Sequence, residues 1–150
     1  MVIGSVNPPR LWRPYSQQFP TLPMEMVAPA NERYNCIAWS VGISDRWVWD
    51  EIDYDGNGNS SYSEFVRFYQ KRGYTPTSSE KNADVALLGH RNGYRVQVKH
   101  AARKDFDSNF WLSKMGQGGI IRHQNLEVFE GTPYGEVLML FRKIIFLIIL

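Results

Sequence analysis

The chain of 150 residues carries 17 Lys and Arg against 15 Asp and Glu, and a net charge of +2 gives no electrostatic reason to expect a nucleic-acid partner. With 43% hydrophobic residues it is long enough for one domain to bury a core unaided, and a single cysteine excludes an internal disulfide framework and a cysteine-rich zinc site. Met1 to Pro9 has no charged region followed by an apolar stretch, and the apolar tail 143–150 is far short of the about 20 residues that a membrane span needs, so the expectation is a cytoplasmic protein with no membrane span.

Residues 1–30 hold Pro8, Pro9, Pro14, Pro20, Pro23 and Pro29, too many for a helix or a central strand, and are expected to form an extended arm ahead of a domain at 31–142. Next comes Tyr34-Asn35-Cys36-Ile37-Ala38-Trp39-Ser40-Val41-Gly42. Ile37, Ala38 and Val41 suit a buried helix face, Asn35 an N-cap and Gly42 a C-terminal stop. A cysteine in the first turn of a helix meets unpaired backbone N–H groups and the positive end of the helix dipole, which favour the thiolate. The other reading of the same residue is packing, since free cysteine is among the most buried residue types.

Asp53 to Glu64 fits an EF-hand loop, with Asp53, Asp55, Asn57, Asn59 and Glu64 as oxygen donors and Gly58 at the sharp turn. Calcium takes about six to eight oxygens, which this set supplies in part. Ser60 stands where an aliphatic residue would pair with a second loop, so a Gly/Asn/Ser-rich turn is the competing reading. No cofactor is required by the sequence; calcium is the one it suggests.

Ser63 to Arg72 reads as an amphipathic helix with Phe65, Phe68 and Tyr69 on one side, ended by Gly73. Asp84 to Gly89 reads as a buried strand, and Asn92-Gly93 as a hairpin turn into Tyr94 to Arg103. The alternation there predicts Tyr94, Val96, Val98 and His100 on one face. Further strands are expected at Phe110 to Gly116 and at Glu136 to Phe141, the last after a turn at Glu130 to Gly135, while Ile120 to His123 reads as either loop or strand.

Nucleophilic catalysis by cysteine needs a histidine in hydrogen-bond reach and a polar group to orient its ring. The chain offers cysteine on a helix, histidine on a later strand and polar residues beyond it. In this order the motifs Asn35-Cys36-Ile37-Ala38-Trp39-Ser40-Val41-Gly42, His100-Ala101-Ala102-Arg103, Trp111-Leu112-Ser113-Lys114-Met115-Gly116 and Phe129-Glu130-Gly131-Thr132-Pro133-Tyr134-Gly135 resemble an uncharacterised bacterial family, itself similar to papain-like amidases with an Nlp-type core. The resemblance implies an α+β, papain-like fold with the Cys-bearing helix packed on an antiparallel sheet. It implies a cysteine amidase or peptidase acting on a peptide or protein substrate, with Cys36 as nucleophile, His100 as base, and Ser113 or His123 orienting the ring. The alternative is a non-catalytic binding domain, stabilised by calcium at the Asp53–Glu64 loop.

Overall fold

The computed structural model describes residues 24–29, 31–53, 61–92, 95–105, 108–115 and 119–144. Most of the proline-rich arm, the calcium-loop residues Asp55, Asn57 and Asn59, the turn residue Gly93, Tyr94 and the end of the apolar tail lie outside them.

Seven strands make one antiparallel sheet: β1 (Met24–Ala28), β2 (Tyr74–Pro76), β3 (Val85–Asn92), β4 (Arg95–Lys104), β5 (Trp111–Lys114), β6 (Ile120–His123) and β7 (Glu136–Lys143), in the spatial order β1-β6-β5-β4-β3-β7-β2. The described helices are short: α1 (Cys36–Ser40), α2 (Trp49–Ile52) and α3 (Tyr62–Gln70), of five, four and nine residues. The papain-like α+β expectation is therefore corrected. The domain is β-rich, and the Cys36 segment is little more than one helical turn resting on β4, not a helical layer. The turn is short because Gly42 adopts φ 86, a left-handed conformation that stops the helix two residues after Ser40. Among the described residues no helix is long and apolar enough to cross a membrane.

The strands at residues 85–92, 95–104, 111–114 and 136–143 form where the sequence places them, within a few residues, and 120–123, left open between loop and strand, is a strand. Two further strands come from outside the expected set. Met24–Ala28, assigned to the arm, pairs with β6 at the sheet edge, where flanking prolines cost no ladder bond. Tyr74–Pro76 pairs with β7 at the other edge.

Alternation along the central strands builds two cores. Val85, Leu87, Ala101, Met139 and Phe141 face the helices and pack with Cys36, Ile37, Trp39, Phe65, Phe68 and Tyr69. Ala86, Leu88, Ala102, Trp111 and Ile121 face the other way and pack with Leu126 and Phe129. On the helical side Tyr69 stacks on Phe141 at 4.4 Å and its hydroxyl lies 2.7 Å from Ser40 Oγ, which ties α3 to α1. Ser61 and Glu64 form a reciprocal capping box that starts α3.

Phase is broken at the sheet centre. β4 opposes β3 in register until Leu88 pairs with His100, after which Gly89 pairs with Val98 and Lys99 is the extra residue of a bulge. On its other side β3 meets a second irregularity, since Leu87 pairs with Met139 and Leu88 with Val137. Both neighbours crowd the same point, and a Cβ at Gly89 would lie 2.0 Å from Gln97 O, so only glycine fits there.

Candidate functional site

The bulge decides the fate of the proposed nucleophile and base. Val96 and Val98 pack on the helical face, as the alternation predicts. One extra residue then reverses the order, so that Ala101 and Arg103 continue the helical face while His100 and Ala102 turn to the opposite one. Cys36 packs with Ala101, and His100 packs with Phe129 and Tyr134, so the sheet itself stands between thiol and imidazole. The expected placement of His100 beside Val96 and Val98 is corrected by this bulge.

On the helical face Cys36 is buried, with backbone hydrogen bonds at Ala101 and Ile37. Asn35 caps the turn, its Oδ1 accepting from Ala38 N at 2.9 Å. Loss of solvent outweighs the backbone hydrogen bonds and the nearby Lys114 charge, and pushes the thiol up to about 11. At neutral pH the thiol then stays protonated, the opposite of activation. A turn of five residues sums too few peptide dipoles to reverse the cost of burial. Lys114 is fully buried on the same face, donating to Asn31 O at 2.6 Å with its ammonium 4.9 Å from the Tyr34 ring centre. Burial lowers its pKa to about 8.

The motif His100-Ala101-Ala102-Arg103 has a structural explanation here. Small residues at 101 and 102 let α1 and the opposite core approach β4 closely. Arg103 reaches across to α1, donating to Trp39 O at 3.3 Å with its guanidinium 4.4 Å from that indole.

Ser113 and His123, the two alternatives for the orienting role, are brought together, but with each other and away from Cys36. They occupy neighbouring strands on the face of His100, and Ser113 Oγ lies 2.6 Å from His123 Nε2. The Asn125 carbonyl, 2.9 Å from Nδ1, can only accept, so Nδ1 carries the proton, Nε2 is bare and Ser113 donates to it. That is the polarity of an activated serine, yet both groups are buried, and burial lowers the imidazole pKa to about 4, which makes it a weak base.

His100 completes this face. It is fully buried, its ring stacks on Tyr134 at 4.2 Å and 7°, and neither ring nitrogen has a hydrogen-bond partner among the described residues. Burial, with the adjacent His123, holds its pKa well below 6.5. The sequence gives no hint of these neighbours, because Phe129 and Tyr134 arrive from a loop.

Of the calcium set, Asp53 and Glu64 are described. Glu64 is buried at the start of α3, where Oε1 accepts from Ser61 N at 2.9 Å and Oε2 has no hydrogen-bond partner among the described residues. No group of three or more His, Cys, Asp or Glu positioned to hold a metal occurs among the described residues.

No curated protein and no solved structure matches the chain. Residues 25–142, most of its length, match the family described as a domain of unknown function (DUF7689), and the chain belongs to that family.

Proposed function

We propose that this domain is a non-catalytic binding module for a protein partner, in which the polar residues of the four sequence motifs fasten the layers to the sheet. The observation that supports this reading is the placement of Cys36, on α1, and His100, on β4, on opposite faces of the sheet, where no side-chain rotation joins them. Trp47 and Tyr62, 43% and 44% exposed, are the aromatic types enriched where proteins meet. The test is alkylation of Cys36 by iodoacetamide in the native protein. The reaction is expected to be slow at pH 7, to follow a titration well above that of a free thiol, and to be unchanged by His100→Phe. Fast alkylation with a low midpoint, or hydrolysis of an amide that Cys36→Ala abolishes, would establish a cysteine hydrolase instead.

Calcium at the Asp53–Glu64 loop belongs to the same proposal. Its support is the buried Glu64 Oε2, a carboxylate oxygen with no hydrogen-bond partner among the described residues, at the loop position that binds calcium in bidentate mode. Because a ligand of the native state raises stability by mass action, millimolar calcium should raise the melting temperature of the wild type and leave Glu64→Gln unmoved. An equal shift in both proteins, or none in either, removes calcium from the account.

A further inference from the structure

All three histidines of the chain touch one segment, residues 124–135. This segment leaves β6, makes the short 3-10 turn Glu127–Phe129, and returns to β7 across the sheet face that holds Ser113, Trp111 and Leu88. Gly131 and Gly135, at φ 75 and 81, bracket the tyrosine that lies on His100. Phe129 sits between the two buried rings, 5.1 Å from His100 and 4.9 Å from His123.

We propose that residues 124–135 form a lid held shut by the neutral forms of His100 and His123, which opens on mild acidification and uncovers Ser113, His123 and Trp111.

The geometry allows neither ring a stable second proton in the closed state. An imidazolium at His100 would be buried between aromatic rings with no acceptor for either N–H among the described residues. At His123 the incoming proton would occupy Nε2, where Ser113 now donates. The hydroxyl would have to turn and lose its own acceptor, while the new charge gained no counter-ion. The charged and titratable groups around the two rings are few. On β4, Lys104 lies with its ammonium 4.6 Å from the Trp111 ring centre; on β3, His90 stands at the rim; on β7, Glu136 is exposed; on the lid, Tyr134 stacks on His100 while Glu127 and Glu130 point to solvent. Among the described residues no carboxylate contacts either ring.

His90 behaves differently. Its Nε2 lies 3.3 Å from Pro133 O, and a protonated ring still donates to a carbonyl, so this bond tethers the lid and does not release it.

The sign follows from linkage. Both pKa values are lowered in the closed state, so the open state binds more protons, and the lid loosens as pH falls below the ordinary histidine value of 6.5. For His123 the effect extends down to about 4. Each proton taken up changes the opening equilibrium about tenfold per pH unit, so two give about 100-fold.

Hydrogen–deuterium exchange of the full chain between pH 7 and pH 5, normalised at each pH for intrinsic exchange, reads this directly. Protection of peptides covering 124–135 should fall about 100-fold per pH unit below 6, while β3 and β4 keep theirs. His100→Phe, which retains an aromatic on Tyr134 and removes one titrating group, should fall only about tenfold per unit. Lid protection that ignores pH, a variant as steep as the wild type, or simultaneous loss of protection in β3 and β4 overturns the proposal. Imidazole titration by NMR in the wild type needs no variant: His100 and His123 should titrate together with the Tyr134 ring resonances. An independent midpoint near 6.5 for His100 with Tyr134 unmoved also overturns it.

Discussion

Replacing Phe129 by alanine is expected to destabilise the domain by about 3–5 kcal/mol. Its ring is fully buried, and it touches both buried histidines and Tyr134, the last at a centroid distance of 5.3 Å. The loss has three parts: apolar area returned to water, a cavity that the surroundings fill poorly, and aromatic contacts worth about 0.5–1.5 kcal/mol each. Collapse is limited on every side. Below lies the sheet, with Leu88 and Ala102 fixed by the ladder; above is the backbone of the 3-10 turn that carries residue 129 itself. Set against a typical domain stability of about 5–15 kcal/mol, this one ring accounts for a large share. Urea denaturation should show the midpoint falling with an unchanged slope, and Phe129→Leu should recover most of the difference. A loss below about 1 kcal/mol for the alanine variant would mean that the lid is not packed as described.

The strands were legible where a single residue-by-residue rhythm holds, and the errors fall where it does not. Val85 to Asn92 and Arg95 to Lys104 pair as far as Asn92 and Arg95, so the hairpin could be read from composition and from the Asn-Gly signal in the sequence. The face of His100 could not. Ala101 and Ala102 are equally small and apolar, so after Val98 the pattern carries no phase, and the extra residue at Lys99 leaves no mark in the sequence. The same blindness explains Met24–Ala28. Pro23 and Pro29 bracket it and suggest an arm, yet an edge strand bonds on one side only and tolerates proline neighbours.

For the site, the sequence motifs single out residues that the fold buries, but with neighbours other than those expected. Cys36, His100, Ser113, Lys114 and His123 are all buried, which is why they stand out from a surface of ordinary polar residues. Ala101 beside Cys36, Phe129 and Tyr134 beside His100 and Asn31 beside Lys114 come from distant parts of the chain, and only Asn125, two residues past His123, is near its partner in sequence. Burial also reverses the expectation for the thiol. A helix N-terminus lowers a cysteine pKa only where the thiolate keeps some solvent or a strong counter-charge, and here loss of solvent is the larger effect.

Gly135→Ala is expected to cost about 3 kcal/mol or more, well beyond the usual price of losing a glycine. Two effects act on the same atom. The backbone at φ 81 lies in the left-handed region, where an L side chain costs about 1–2 kcal/mol. The new Cβ would also fall 2.1 Å from Gly89 O and 2.6 Å from Gly89 C, and both are backbone atoms in the middle of a sheet. Neither can rotate away, so the chain around residue 135 must retreat from β3 and carry Tyr134 off His100. Gly131→Ala separates the two effects, because its φ is 75 and nothing lies within 4 Å of its Cβ. That variant should lose only the conformational part, about 1 kcal/mol, and keep the ring-current shift that Tyr134 imposes on the His100 protons. The Gly135 variant should lose at least twice as much stability and most of that shift. Equal losses for the two glycines would show that β3 and the lid do not meet at Gly89, and with that contact gone the closed lid over Ser113 and His123 would have no hinge.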